Sequence, residues 1–274
     1  MLDLLFLAIA PAVFIFLYVY AQDRYEREPL HLVLYVFLLG ALSVIPIALV
    51  EFPFSATPFS SSVVAPVVEE AGKFLIVYLF IFRHREFNEP VDGIIYAMAA
   101  ALGFATIENI FYVIEGGYTI GVMRAVLSVP GHVIFSCLWG AALGIAKFRP
   151  EKERAGIILT GLLGAMALHG IFNFSAETLG AWGLLIILIL VPAGIWWTLK
   201  SIGKAHADPA SVRSAKMQMA ADARAGNVPR QTAVVFPDST FRDSHKGSPE
   251  FCSVCGAPLT DGMRFCENCG RERE

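Results

Sequence analysis

Seven long apolar segments dominate the first 200 residues, and each is long enough to cross a lipid bilayer. A helix rises about 1.5 Å per residue, so about 20 apolar residues span the hydrocarbon core. The segments cover residues 2–21, 30–50, 61–82, 92–114, 121–146, 156–176 and 181–199. The sequence therefore predicts an all-α fold, a polytopic transmembrane helical bundle of about seven spans.

The composition agrees with a chain that lies mostly in lipid. Hydrophobic residues make up 56% of the 274 residues and charged residues only 16%, against about 25% charged residues in soluble domains. The net charge of -3 is small and the basic residues are dispersed, so we expect no nucleic-acid partner. We expect the apolar surface of the predicted helices to contact the lipid bilayer.

The distribution of Lys and Arg between the predicted loops indicates an orientation. Basic residues accumulate on the cytoplasmic side of membrane proteins. Alternate loops contain Arg24 and Arg27, Arg83 and Arg85, and Lys147, Arg149, Lys152 and Arg154, whereas residues 51–60, 115–120 and 177–180 contain none. We expect a multi-pass cell-membrane protein with its N-terminus outside and its C-terminus in the cytoplasm.

The last 70 residues differ in composition and carry a separate motif. Residues 203–250 are polar and read as a flexible linker between a membrane domain at 1–202 and a module at 251–274. In that module, ten residues separate two Cys-x-x-Cys pairs, Cys252 with Cys255 and Cys266 with Cys269. Four thiolates at this spacing are typical of a closed, structural zinc ribbon, whose own partner the sequence does not identify.

Several ionisable side chains lie well inside the apolar segments. Each costs roughly 2.5–3.5 kcal/mol at a helix centre, so each calls for a function or a partner. They are Glu69, Glu70 and Lys73 in the third segment, Glu108 in the fourth, His132 in the fifth, and His169 in the sixth, with Asn173 one turn after it. On the predicted topology, Glu69, Glu108, His132 and His169 lie about 12, 9, 16 and 10 Å below the outer surface.

This shared depth favours a single site assembled from four helices, in or near the outer half of the bilayer. Simpler roles exist for single residues. Glu69 and Lys73 are spaced for a helix ion pair, which would leave Glu70 unpaired. His132 follows Pro130 and Gly131, and it could hydrogen-bond a backbone carbonyl that a distorted helix exposes there. Adjacent glutamates point about 100° apart on a helix, so one could face a cavity while the other orients a neighbour.

Glutamate, histidine and asparagine together suit amide hydrolysis. That reaction needs a base for water, donors for the developing oxyanion, and an acid for the leaving amine. Two histidines and a carboxylate are also a common catalytic zinc ligand set, here His132, His169 and Glu108. The chain contains no His-Glu-x-x-His sequence, which excludes a zincin-type helix.

Four strings in order on successive segments carry a family resemblance. They are Glu69-Glu70-Ala-Gly-Lys73, Phe104-Ala-Thr-Ile-Glu108-Asn109, His132, and His169-Gly-Ile-Phe-Asn173. Over residues 1–200 they resemble the PrsW-type intramembrane proteases, a family related to the CAAX prenyl proteases and bacteriocin-processing enzymes.

The resemblance implies Glu69 or Glu70 as the base, and His169 with Asn173 as the oxyanion or metal group. Glu108 and His132 would complete the site. Metal-activated and glutamate-activated water would use the same residues, so zinc at the membrane site stays open. The resemblance further implies site-1-type cleavage of a membrane-anchored substrate, such as an anti-sigma factor, on its outer side.

The leading hypothesis is thus an intramembrane endopeptidase that hydrolyses a peptide bond of a membrane-anchored protein. A proton-coupled transporter or channel is the alternative, since buried carboxylates and histidines also form proton relays. A relay would extend across the membrane, whereas the cytoplasmic half of the predicted bundle is nearly free of ionisable groups. A membrane-anchored zinc-ribbon scaffold would not need the buried glutamates.

Overall fold

The chain folds as a bundle of helices in a computed structural model that describes residues 2–22, 27–54 and 59–208. All regular structure within these ranges is helical. The helices are α1 (Leu2–Gln22), α2 (Leu30–Glu51), α3 (Ala65–Phe80), α4 (Pro90–Met123), α5 (Val129–Lys147), α6 (Glu151–Thr178) and α7 (Gly180–His206). A 3₁₀ turn (Phe52–Phe54) follows α2, and π turns (Ser60–Val64 and Arg124–Ser128) precede α3 and α5. The predicted zinc ligands Cys252, Cys255, Cys266 and Cys269 lie outside the described residues.

Helix length and composition support a multi-pass membrane protein. Five helical stretches of the described chain are long and apolar enough to cross a bilayer, namely Leu2–Ala21, Leu30–Phe54, Pro90–Lys147, Glu151–Thr178 and Gly180–His206. The third predicted span is not among them, because α3 has only 16 residues. The fourth and fifth spans are joined into one stretch of 58 residues. A count of seven spans therefore stays a prediction.

A kink at Gly117, inside α4, reverses the chain at the position where the sequence predicts a loop (residues 115–120). Gly117 has φ 68° and ψ -156°, a conformation that a side chain disfavours. The part of α4 before the kink runs antiparallel to α5. Gly93, near the start of α4, lies against Gly140 in the second half of α5, whereas Glu108, further along α4, contacts His132 near the start of α5. The reversal brings the end of α4 and the start of α5 to one end of the bundle.

Helix α4 is the centre of the bundle. Nearly every residue from Pro90 to Thr106 is buried, and α1, α2 and α5 pack around it. The outer helices carry large exposed apolar side chains, among them Leu38, Leu42, Ile45, Leu49, Leu163, Ile171, Leu185, Ile189 and Trp196. An apolar exterior around a central helix is the arrangement that lipid favours, because lipid-facing surfaces need no polar groups.

Buried carboxylates also hold the N-terminal end of α4, which the sequence analysis did not anticipate. Asp92 accepts hydrogen bonds from the backbone N–H groups of Asn88 and Glu89, at 2.7 and 2.6 Å. The Tyr96 hydroxyl donates to the Glu28 carboxylate. Glu28, Glu89 and Asp92 are all buried, so the expectation that this half of the bundle is nearly free of ionisable groups is wrong. These residues lie at span ends, where a charge alone does not signal burial.

Small residues allow the close contact between α4 and α5. A Cβ atom added to Gly144 would lie 1.9 Å from the Pro90 carbonyl oxygen, and one added to Gly93 would lie 2.3 Å from the Gly140 oxygen. Helix pairs in membranes depend on such contacts because lipid tails compete for larger apolar side chains.

We therefore expect Gly144→Ala to lower the thermal unfolding midpoint of the detergent-solubilised protein. The added methyl group must push two backbones apart, which costs about 1–3 kcal/mol. Gly164→Ala is the matched control, because apart from the backbone of its own helix nothing lies within 4 Å of its added Cβ and alanine favours helix by about 1 kcal/mol. Equal midpoints for the two variants would contradict the packing argument.

Candidate active site

Five of the six residues singled out for catalysis meet where α3, α4, α5 and α6 converge, and the sixth, Asn173, lies on the adjoining cavity wall. Helix α3 contributes Glu69, Glu70 and Lys73. The Lys73 side chain lies between these two glutamates and α5. The other helices contribute one or two each, namely Glu108 from α4, His132 from α5, and His169 with Asn173 from α6. Four segments far apart in sequence thus form one cluster of polar side chains inside an apolar bundle.

The ammonium group of Lys73 lies at the centre of this cluster. Its Nζ is 2.6 Å from Glu70 Oε1, 3.4 Å from Glu69 Oε2 and 3.3 Å from His132 Nδ1. The side chain is fully buried, so its charge depends on these partners. The expectation that a Glu69–Lys73 pair leaves Glu70 unpaired is wrong, because Lys73 lies closer to Glu70.

Glu70 is the anchor of the cluster. Besides Lys73, it accepts hydrogen bonds from Ser136 Oγ at 3.0 Å and Trp139 Nε1 at 2.9 Å, and its Oε1 lies 3.1 Å from His169 Nδ1. Both oxygens are thereby satisfied and the residue is fully buried. Sequence reasoning missed Ser136 and Trp139, although they lie four and seven residues after His132, on the same helix face.

Glu69 differs from Glu70 in facing a cavity. Its Oε2 lies 3.8 Å from His132 Nδ1 and 4.0 Å from His169 Nε2. The two adjacent glutamates therefore have separate surroundings, one among hydrogen-bond donors in the core and the other on the cavity wall between two imidazoles.

The partners of each imidazole determine which nitrogen carries its proton. His132 Nε2 lies 2.8 Å from Glu108 Oε2, while Nδ1 faces the Lys73 ammonium. Because an ionised carboxylate only accepts and an ammonium only donates, the proton belongs on Nε2. The lone pair of His132 Nδ1 then points into the cluster.

His169 has the opposite arrangement. Its Nδ1 faces Glu70, so the proton belongs on Nδ1 and the lone pair of Nε2 points towards Glu69. The ring also stacks on Phe135, with centroids 4.7 Å apart. The two histidines thus direct unprotonated nitrogens to the same side as the Glu69 carboxylate.

This donor set fits a divalent metal ion. One ligand atom each from Glu69, Glu70, His132 and His169 lies within 4.8 Å of the others, and all four residues are buried. When ionised, Glu69, Glu70 and Glu108 carry three negative charges against two positive charges on Lys73 and Arg124. Mixed imidazole and carboxylate ligands are typical of zinc. Glu108, proposed from sequence as a possible ligand, lies outside this group among the described residues and contacts His132 from the far side.

A cavity of about 640 Å³ adjoins the cluster. Its wall is largely apolar, with Phe104, Phe111, Leu127, Phe172 and Leu184, and the polar residues Glu69, Glu108, His132, His169 and Asn173 all reach it. Binding sites commonly have this volume and a few convergent polar groups. Asn173 Nδ2 donates one hydrogen bond to the Ser61 carbonyl oxygen at 2.8 Å, and its amide has a second N–H.

Three more charged residues of the cavity wall were not predicted as site residues. Glu51 lies at the end of α2, Glu177 near the end of α6, and Arg124 in the π turn before α5. Arg124 was visible in the sequence as a cation just inside a predicted span. Glu51 and Glu177 lie in predicted loops, where a carboxylate carries no signal.

Comparison with known proteins places the chain among membrane proteases. The model of the family described as PrsW family intramembrane metalloprotease matches residues 28–197, and a zinc-ribbon domain model matches residues 251–272. Protease PrsW of Geobacillus kaustophilus (strain HTA426) is 36% identical over 227 residues, which cover 80% of this chain and 100% of that protein. Protease PrsW of Bacillus subtilis (strain 168) is 33% identical over 195 residues, covering 69% and 88%. No solved structure matches the chain.

The anchoring role of Glu70 predicts the effect of Trp139→Phe. The substitution keeps an aromatic ring but removes a donor to a buried carboxylate, which costs about 1.5–3 kcal/mol. We expect a lower thermal midpoint in detergent. Trp196→Phe is the control, because Trp196 is 62% exposed on α7 and such surface changes stay within about 0.5 kcal/mol. A midpoint for Trp139→Phe equal to that of the control would refute the role.

Proposed function

Because the chain belongs to the PrsW family of intramembrane metalloproteases, we propose that its glutamate–histidine cluster hydrolyses a peptide bond of a membrane-anchored protein. The observation that carries the proposal is the convergence of Glu69, His132 and His169 on one cavity wall. A buried carboxylate between two oriented imidazoles has the groups that peptide hydrolysis needs.

Glu69 is the proposed general base. Its carboxylate reaches the cavity, where it can accept a proton from a water molecule that attacks the scissile carbonyl carbon. The same oxygen can then return that proton to the leaving amine, so one side chain serves both transfers. Glu70 is unsuited to this task because its oxygens are occupied by Lys73, Ser136, Trp139 and His169.

Asn173 is the proposed support of the developing oxyanion, because the cavity-facing Nε2 of His169 carries no proton to donate. The two residues lie one turn apart on α6 and both reach the cavity. The second N–H of the Asn173 amide can donate to the carbonyl oxygen as negative charge develops on it, and a donor fixed in advance costs no reorganisation. Its first N–H bond to Ser61 holds the amide plane in place.

Zinc is the proposed metal, held by His132 and His169, with the Glu69 carboxylate beside it left as the base. A bound divalent ion would polarise the scissile carbonyl and make water more acidic. Lys73 contacts three members of the donor set and compensates part of its negative charge. Zinc in the ribbon, on Cys252, Cys255, Cys266 and Cys269, is a separate structural proposal.

The proposed substrate is cut near the outer face of the membrane, as in site-1-type cleavage of an anti-sigma factor. Several cavity residues lie at helix ends that the positive-inside rule places outside, including Glu51 at the end of α2, Ser61 before α3 and Glu177 near the end of α6. With the N-terminus outside, the ribbon at 251–274 lies in the cytoplasm, beyond a linker at 203–250. Its partner would then be cytoplasmic.

The transporter alternative has no support from the comparisons. The argument that a transporter would need ionisable groups in the other half of the bundle no longer counts against it, because Glu28, Glu89 and Asp92 are buried towards that end. These carboxylates have local partners at the start of α4, and the family relationship is what sets the transporter aside.

The base assignment predicts that Glu69→Gln abolishes cleavage of a single-pass substrate in proteoliposomes. Loss of a general base typically lowers the rate 10²–10⁴-fold, while a neutral isostere should leave the thermal midpoint nearly unchanged. Glu153→Gln, on an exposed carboxylate of α6, should cleave like the wild type. Wild-type cleavage by Glu69→Gln would eliminate Glu69 as the base.

The metal assignment predicts one zinc ion in the membrane domain in addition to the ribbon. We expect a full-length variant with serine at all four ribbon cysteines to retain one zinc ion per chain by mass spectrometry. Adding His132→Ala and His169→Ala should remove it. Absence of zinc together with undiminished cleavage under chelator would instead support water activated by Glu69 alone.

A further inference from the structure

Arg124 is the one basic side chain besides histidine on the described part of the cavity wall, and the reaction proposed above does not use it. It is the first residue of the π turn Arg124–Ser128. Widened turns of this kind recur at functional sites. Its side chain is 15% exposed, so the guanidinium lies mostly within the protein.

Three residues of α4 hold the guanidinium. Arg124 Nη2 lies 2.8 Å from Glu108 Oε2, and Nε donates to Asn109 Oδ1 at 2.9 Å. Cζ lies 3.9 Å from the centroid of the Tyr112 ring, a cation–π contact. Asn109 Nδ2 in turn donates to the Ala8 carbonyl oxygen of α1 at 3.1 Å. The group is therefore restrained from several directions.

The kink at Gly117 makes these contacts possible. Glu108 and Arg124 are 16 residues apart, which would separate them by about 24 Å along a straight helix. The chain instead turns back after Gly117, and Arg124 returns to the carboxylate that precedes the kink.

Glu108 transmits this restraint to the catalytic cluster. The oxygen that Arg124 contacts, Oε2, is also 2.8 Å from His132 Nε2. A carboxylate this close to the outer nitrogen of a metal-binding histidine favours the tautomer with the proton on that nitrogen and limits rotation of the ring. With a charged, planar partner on the same oxygen, the carboxylate is itself held in place.

We propose that Arg124 is a positioning residue that acts through Glu108 to keep the proton of His132 on Nε2 and its Nδ1 lone pair directed into the cluster. This inference rests on the proposed function and extends it to a residue outside the four strings of the family resemblance. Arg124 touches neither Glu69 nor His169 in this arrangement, so its effect passes through the shared Glu108 oxygen.

The direct test is the tautomer of His132 in full-length protein labelled with ¹⁵N-histidine and freed of metal by a chelator, because a metal ion on Nδ1 would itself keep the proton on Nε2. In the wild type we expect His132, assigned by loss of its signals in His132→Asn, to carry its proton on Nε2 alone. Arg124→Gln should give a mixture of both tautomers, and Arg124→Lys should restore part of the Nε2–H population, because an ammonium can still pair with Glu108. An unchanged tautomer in Arg124→Gln would overturn the proposal.

Kinetics provide the second test. We expect Arg124→Gln to lower kcat about tenfold, the lower end for loss of an outer-shell partner, with KM unchanged. In a Glu108→Gln background the same substitution should have no further effect. Arg85→Gln is the matched control, since Arg85 is 88% exposed and pairs with Glu86. Multiplicative losses in the double variant would show that Arg124 acts independently of Glu108.

The same variants distinguish a failure of the Arg124 proposal from misfolding and from a failure of the proposed protease function. If Arg124→Gln does not fold, Tyr112→Leu removes the ring from the guanidinium and should shift the His132 tautomers in the same direction, by less. No shift in Tyr112→Leu or Arg124→Lys would then contradict the proposal. The tautomer measurement needs no turnover, so full cleavage by Glu69→Gln would refute the base while leaving the Arg124 result to stand on its own.

Discussion

The contact between Lys73 and Glu70 is the interaction on which the rest of the site depends. Both side chains are fully buried, and a buried charge is tolerated only when it is paired and hydrogen-bonded. Glu70 meets this condition by drawing donors from α5 and α6 to α3. The cost of the buried carboxylate therefore sets the relative positions of three helices, and with them the positions of His132 and His169.

Each of the two histidines is held by a carboxylate on its outer nitrogen, and one of those carboxylates is held in turn. Glu70 holds His169, Glu108 holds His132, and Arg124 holds Glu108. Glu69 is the carboxylate left between the two imidazoles, and its exposure to the cavity distinguishes it from its neighbour in sequence. In an apolar bundle such chains of paired groups are favourable, because the polar groups satisfy one another. Each of them would otherwise need a separate partner.

Much of this arrangement was predictable from sequence because lipid penalises buried charge so strongly. Every predicted apolar segment overlaps an observed helix, and five of the six proposed site residues lie in one cluster, with Asn173 on the adjoining cavity wall. Which polar residues pair with one another was harder to predict from the sequence. Helical spacing suggested Glu69 for Lys73, yet Glu70 lies closer, and Ser136 and Trp139 gave no signal on their own. Glu28, Glu89 and Asp92 escaped notice because polar residues at span ends are common.

The sequence by itself determined the fold class, the membrane environment, the family and the identity of the polar residues, since each follows from hydrophobic length or from residue type in order along the chain. Only the tertiary structure decided which glutamate faces the cavity, which nitrogen of each histidine is free, and that Arg124 meets Glu108. Those facts depend on the direction of side chains and on a reversal at Gly117. A linear pattern cannot specify them, because they arise from contacts between helices that are distant in sequence.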